Sequence, residues 1–170
     1  MRPDEEAEFA DLVERQWRFA WKVAWAILRN TQDAEDAAQE VFLKAFRAKA
    51  WRNLTNERAF IARAAWRAAV DRLRQRRPLA EHEPDALADA APDPEDLVIA
   101  ANWDAAMHRL IDSLPEELRQ PLSLSLEMNS REIAAAMGIP EGTVRTRLMR
   151  ARQILRGKIA VMEERRYVRP

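Results

Sequence analysis

Ser130-Arg131-Glu132-Ile133-Ala134-Ala135-Ala136-Met137-Gly138-Ile139-Pro140-Glu141-Gly142-Thr143-Val144 has the layout of two helices joined by a tight turn. Ser130 stands where a helix N-cap is wanted, and Gly138 where a turn needs positive φ. Pro140 opens the second helix, where its missing N–H costs nothing. This is the pattern of a helix-turn-helix. On the second helix Val144, Leu148, Ala151 and Leu155 share a side predicted to be buried, and Thr146, Met149 and Gln153 point the other way. Arg145, Arg150, Arg152 and Arg156 flank that outer face. Cations for phosphate or guanine, beside smaller groups for base edges and thymine methyls, are what a major groove requires. A solvated arginine-rich helix is the plainer alternative, but the preceding cap, short helix and turn favour groove reading.

Outward from this motif the chain reads as helix almost everywhere. Of its 170 residues, 48% are apolar and 33% charged, with only 3 glycines, a composition that favours an all-α fold. From Glu8 to Arg29, Val13, Trp17, Ala20, Trp21, Ala24 and Leu28 lie on one stripe. Asn30 to Asp33 reads as a break and cap. A second helix follows from Ala34 to about Lys49, with Ala38, Val41, Phe42 and Ala45 inward. After a loop from Ala50 to Thr55, a third helix is predicted from Thr55 or Asn56 to Arg77. It carries Arg63, Arg67 and Arg74 on one stripe, with Ile61, Ala65 and Ala68 opposite. Further helices are expected over Leu97 to Ser113, Pro115 to Glu127, Ser130 to Met137 and Glu141 to about Glu164. The indoles of Trp17, Trp21 and Trp25 are read chiefly as core, with a partner surface as the other option for Trp25.

Pro78 stops the third helix, and Leu79 to Asp96 holds Pro84, Pro92 and Pro94 among acidic residues with no Lys or Arg. The expected organisation is therefore two small helical domains, 1–77 and 97–170, joined by a flexible acidic linker over 78–96. Extended, that linker spans up to roughly 65 Å, more than the ~34 Å of one DNA turn. The 28 basic and 28 acidic residues cancel, so local segregation of charge, rather than net charge, must carry any nucleic-acid binding.

Enzymatic chemistry finds little support. There is no cysteine, which excludes disulfides and thiolate sites and fits a reducing cytoplasm. His82 and His108 lack metal-ligand spacing to a second His or Cys, and no phosphate loop is present. Asp36 and Glu40, one turn apart, have no complementary ligand pair for a cation. Their helix-start position is explained equally by the helix dipole. No catalytic residue, cofactor or metal is expected. The N-terminus lacks a signal-peptide core, and no run is apolar enough to cross a membrane, so a cytoplasmic location without membrane association is expected.

Two stretches resemble the second region of extracytoplasmic-function sigma factors of the sigma-70 family. They are Asp33-Ala34-Glu35-Asp36-Ala37-Ala38-Gln39-Glu40-Val41-Phe42-Leu43-Lys44-Ala45-Phe46 and Ala65-Trp66-Arg67-Ala68-Ala69-Val70-Asp71-Arg72-Leu73-Arg74. Leu114-Pro115-Glu116-Glu117-Leu118-Arg119, Glu132-Ile133-Ala134 and Gly142-Thr143-Val144-Arg145-Thr146-Arg147-Leu148-Met149-Arg150-Ala151-Arg152 resemble the fourth region. The resemblance spans nearly the whole chain in the family's order. It implies a factor that directs RNA polymerase to promoters, with core polymerase and promoter DNA as partners and an anti-sigma protein as a further one. Asp36, Gln39 and Glu40 match the surface for the beta-prime coiled coil, and the fourth region implies contact with the beta flap. Trp51, Arg52, Asn53 and Asn56, with Arg63, Arg67 and Arg74 on the helix after them, match the part that opens the minus-10 element. Thr143, Arg145, Thr146, Met149 and Arg150 match minus-35 readers, and Arg147 and Arg152 match contacts to phosphate. The family usually has Asn where Arg67 stands, Trp where Phe60 stands, and no proline at Pro121. A helix-turn-helix regulator with an N-terminal sensor or dimerisation domain is the alternative. It leaves the acidic-then-basic helix pair unexplained.

Overall fold

The computed structural model describes residues 3–76 and 103–167. Among them are seven helices and no strand: α1 Pro3–Leu28, α2 Thr31–Arg47, α3 Glu57–Arg76, α4 Trp103–Asp112, α5 Glu116–Leu124, α6 Ser130–Met137 and α7 Glu141–Tyr167. The expected linker at 78–96, and the start of the helix expected from Leu97, lie outside the described residues. By contact the described residues form two units, 3–76 with 124–144 and 103–123 with 145–167. Within the first unit, residues 124–144 pack with the N-terminal helices, α6 against α3 above all.

In the first unit α1, α2 and α3 form a bundle whose seam is lined largely by alanine. Ala20, Ala24, Ala34, Ala37, Ala38, Ala65 and Ala69 are fully buried, with Val23 and Ile61 among them. Side chains this small let helix axes approach to the short end of the usual 8–10 Å. The inner faces of α2 and α3 match the periodic reading, except that Ala68 is half-buried. On α1 the buried stripe is Leu12, Phe19, Ala20, Val23, Ala24 and Ile27, whereas Val13, Trp17 and Trp21 are only half-buried. The alanine seam has no room for indoles, so these lie along its flank. Trp17 stacks on Phe42 at 5.9 Å, and Trp21 stacks on Trp25 at 6.2 Å. The Arg29 guanidinium covers the outer face of Trp25 at 4.5 Å.

The helix starts are set by asparagines. Asn30 accepts from the Asp33 N–H at 3.0 Å, so α2 begins at Thr31 rather than Ala34. Asn56 accepts from the Ala59 N–H at 2.9 Å at the start of α3. α1 begins at Pro3, earlier than the Glu8 expected, with Asp4, Glu5 and Glu6 in its first turn, where the helix dipole favours acids.

In the second unit Leu114, Leu118 and Ala151 are buried together, with Leu122, Ile154 and Leu155 packed against them. Pro121 is fully buried in the second turn of α5. Its missing N–H takes one hydrogen bond from the Glu117 carbonyl, while its ring adds to the packed interior. Lys158 Nζ donates to Ser113 Oγ at 2.8 Å, and Ser113 Oγ donates to the Leu110 carbonyl at 2.7 Å.

Candidate nucleic-acid interface

The helix-turn-helix is held by local chemistry. Asn129, not Ser130, is the N-cap of α6: its Oδ1 accepts from the Glu132 N–H at 3.0 Å, and Glu132 Oε2 accepts from the Asn129 N–H at 2.8 Å. This reciprocal box is available only to Asn129, because Glu132 stands three residues after it, whereas Ile133 stands three after Ser130. Gly138 closes α6 in the left-handed region, with φ +70, and donates to the Ala134 carbonyl at 2.9 Å. A Cβ there would meet nothing within 4 Å, so φ rather than space demands glycine. The Pro140 carbonyl accepts from Thr143 and Val144, starting α7, and Ile133 and Val144 are fully buried.

The outer face of α7 is as the periodicity predicts. Arg145, Thr146, Arg150, Arg152, Gln153 and Arg156 are exposed, Thr143 and Arg147 are half-buried, and Leu148 and Ala151 face inward. Met149 is 56% exposed, a large apolar side chain amid guanidinium groups. The helix therefore presents cations around a small apolar and hydroxyl-bearing centre, a surface suited to phosphates at its edges and base edges in the middle.

A second basic face lies on α3. Its arginines divide into two sets. Arg58 pairs with Glu132 at 3.2 Å, Arg72 reaches Asp36 at 3.7 Å and Glu40 at 3.4 Å, and Arg76 pairs with Asp33. Arg63, Arg67 and Arg74 are exposed, and among the described residues none of them is engaged by another side chain. At 1.5 Å per residue they stand roughly 6 Å and 10 Å apart along the helix, on one stripe.

The loop before α3 turns through two non-glycine residues in the left-handed region, Lys49 (φ 50) and Asn53 (φ 57). Asn tolerates that conformation better than most residues do. Trp51 is 8% exposed, its ring 5.4 Å from Phe9 and 5.7 Å from the Arg52 guanidinium. Arg52 also pairs with Glu5. In this arrangement the Trp51 ring holds the loop against α1. Asn56 is occupied as a cap, while Asn53 is exposed.

Asp36 and Glu40 share one face of α2 with exposed Gln39, and both are half-buried against Arg72. A hydrogen bond from Lys44 holds the Glu40 carboxyl below the usual glutamate range, helped by the charges of Lys44 and Arg72 and opposed by partial burial. One turn on, Leu43 is 54% exposed, giving this face an apolar neighbour that the carboxylate pattern did not flag. Its place at i+3 and i+4 from Glu40 and Gln39 was the available signal. Among the described residues, no group of three or more His, Cys, Asp or Glu could hold a metal ion. None of the described helices is long and apolar enough to cross a membrane.

A capped helix-turn-helix whose second helix exposes arginines around Met149, in a chain that also carries an alanine-seamed bundle with an exposed arginine stripe, has the make-up of a helical DNA-binding protein. Family profiles agree and are more specific: Sigma-70 region 2 matches residues 12–78 and Sigma-70, region 4 matches residues 104–155. The RNA polymerase sigma-H factor of Pseudomonas aeruginosa is 34% identical over 157 residues, covering 81% of this chain and 80% of that protein. The ECF RNA polymerase sigma-E factor of Escherichia coli is 32% identical over 158 residues, covering 84% and 83%. The ECF RNA polymerase sigma factor SigE of Mycolicibacterium smegmatis is 31% identical over 88% of this chain, which spans 61% of that protein. Two solved structures share the fold. The sigma factor RpoE of Bartonella quintana, bound to the anti-sigma factor NepR, has TM-score 0.62 at 18% identity, over 91% of this chain and 98% of RpoE. CnrH, bound to the cytosolic domain of CnrY, has TM-score 0.63 at 21% identity, over 92% and 90%. The chain belongs to the extracytoplasmic-function sigma factors of the sigma-70 family, and is thus a transcription initiation factor.

Proposed function

We propose that this chain docks on core RNA polymerase through α2, captures the opened minus-10 strand with the α3 stripe and its preceding loop, and reads the minus-35 duplex with α7. The observation that carries the reading is the division of the α3 arginines: those on one stripe have no side-chain partner among the described residues, while their neighbours are spent on carboxylates of the same unit. Helix stability alone gives no reason to leave Arg63, Arg67 and Arg74 unpaired on one side. A backbone of phosphates does. Arg67 brings a charge that favours phosphate over a neutral base pocket. Asn53 is the loop residue with its side chain open, and Trp51 and Asn56 support that loop. On α7, Arg145, Thr146, Met149 and Arg150 read bases, with Thr143 at the helix start and Arg147 and Arg152 on phosphates.

Asp36, Gln39 and Glu40, with exposed Leu43 beside them, form the face for the beta-prime coiled coil, and the C-terminal domain meets the beta flap. Functionally the chain divides into 1–77, an acidic linker over 78–96, and 97–170. It acts in the cytoplasm as a binding factor and catalyses no reaction of its own. An anti-sigma protein is its natural inhibitor, a partner class found with the similar Bartonella quintana RpoE. Run-off transcription with core enzyme on a genomic fragment library tests the whole: new starts sharing two spaced elements are expected. An enzyme that initiates nowhere new when given this chain would refute the proposal.

A further inference from the structure

The first two turns of α1 make none of the contacts proposed for polymerase or DNA, yet two of their side chains are withdrawn from solvent. Of residues 4–10 only Glu5 and Phe9 are not exposed, and they stand one turn apart on the same face. Glu5 pairs with Arg52 at 2.6 Å. The Phe9 ring lies 4.9 Å from that of Phe46 and 5.4 Å from that of Trp51, which is 8% exposed. The start of α1 therefore grips the end of α2 through Phe46, and the following loop through Trp51 and Arg52. That loop has a backbone in need of support. Lys49 closes α2 in the left-handed region: its N–H donates to the Phe46 carbonyl at 3.1 Å, and the Ala50 N–H donates to the Ala45 carbonyl at 3.0 Å. Glycine is the usual residue at such a closure. Asn53, four residues on, is left-handed as well. Non-glycine residues hold this conformation at a cost, and only where surrounding contacts over-determine it. Glu5 and Phe9 supply such contacts on both sides of Lys49 and just before Asn53.

We infer that Glu5 and Phe9 are positioning residues for minus-10 recognition: they brace loop 48–56 in the shape that leaves Asn53 open to the displaced strand. The role at the promoter rests on the proposed function. Neither residue touches nucleic acid, and both act through Trp51 and Arg52. A group that discriminates between bases has to be held within about 0.5 Å of its productive place. Lys49 and Asn53 both have the right-handed region to relax into, so the unbraced loop has other shapes close at hand. Losing the brace therefore blurs which base is preferred, while the phosphate contacts of α3 continue to attach the strand.

Amide hydrogen exchange on the free full-length chain tests the brace at the N–H groups of Lys49, Ala50 and Arg52, which form the loop's own hydrogen bonds. Phe9→Ala should speed exchange there by about fivefold or more, while Ala38 and Ala65 in the bundle seam stay protected. Phe9→Tyr, which keeps the ring, should restore the parent rates. Glu5→Arg should speed the same amides by about twofold or more, and adding Arg52→Glu should slow them again. In holoenzyme, on promoters varied one base at a time across the minus-10 element, Phe9→Ala and Glu5→Gln should lower discrimination at one or two positions by about three- to tenfold. Affinity for core polymerase and discrimination at the minus-35 element should not change. Loop amides that stay slow in Phe9→Ala, or a charge swap that leaves them fast, overturn the brace. Faster loop amides with minus-10 discrimination intact overturn the positioning role. So does a gain of affinity shared by all sequences, the mark of an Arg52 merely set free. Glu5 is partly exposed, so Glu5→Gln decides the question if Phe9→Ala loosens the whole bundle. If the parent holoenzyme selects no minus-10 element, the proposed function fails, and exchange in the free chain still decides the brace.

Discussion

Gly138 and Arg150 illustrate two kinds of single-residue dependence, one on backbone and one on chemistry. With φ +70 and open space around its absent Cβ, Gly138 is required by conformation alone. Gly138→Ala should cost about 1–2 kcal/mol in urea unfolding, and Gly138→Asn clearly less, because asparagine tolerates the left-handed region. Equal losses for the two variants would mean that packing, not φ, fixes the residue. Arg150 is exposed on the outer face of α7. Arg150→Ala should weaken discrimination at one minus-35 position by about 1–3 kcal/mol in competition binding of the holoenzyme. A loss spread evenly over all sequences would assign it to phosphate.

At the scale of the element, α3 and α2 are coupled by Arg72 and give opposite predictions. Replacing Arg63, Arg67 or Arg74 by Ala should reduce the salt slope of single-strand binding by about 0.7 each, one phosphate per residue. Arg72→Ala should leave that slope unchanged and lower stability instead, since its partners are Asp36 and Glu40. The depressed pKa of Glu40 makes its contribution to stability fully present above the unfolded-state value, and lost as pH falls through the lower folded value. Thermal melts from pH 3 to 7 should therefore show the parent chain more stable than Glu40→Gln near neutral pH, with a steeper decline below about pH 5 that closes the gap as the pH falls. The same elements show what is legible without coordinates. Helix positions followed from period and punctuation, and so did the inner faces of α2 and α7 and the α3 stripe. The buried face of α1 followed only in part: Ala20, Ala24 and Leu28 are buried as the period predicts, but Phe19 to Leu28 is apolar nearly all round, and the alanine-lined partners selected Phe19, Val23 and Ile27 over the indoles. The spacing of Asn129 and Glu132 did encode the α6 cap, but adjacent Ser130 is an equally good cap former. The partners of Lys22 and Arg58 lie far away in sequence, and Trp51 is buried by Phe9 from another helix, so neither leaves a periodic trace.

For the molecule as a whole, balanced charge and local segregation imply that promoter affinity is assembled only on polymerase. Gel shifts at fixed salt should show weak binding by the free chain and much tighter binding with core enzyme. Equal affinities would contradict the division of labour between α2, α3 and α7. The alanine seam has a further consequence, for how this protein tolerates change. Alanine surrenders no rotamer freedom when it is buried, so the bundle is ordered with little entropic opposition per contact. Each methyl also contributes little transfer free energy, so stability is spread thinly over many positions. Trimming any one of them to glycine weakens the bundle by a modest step, whereas enlarging one wedges two axes apart. Sequence drift along this seam is thus bounded from above by volume, and the interior remains small while the periphery is free to vary.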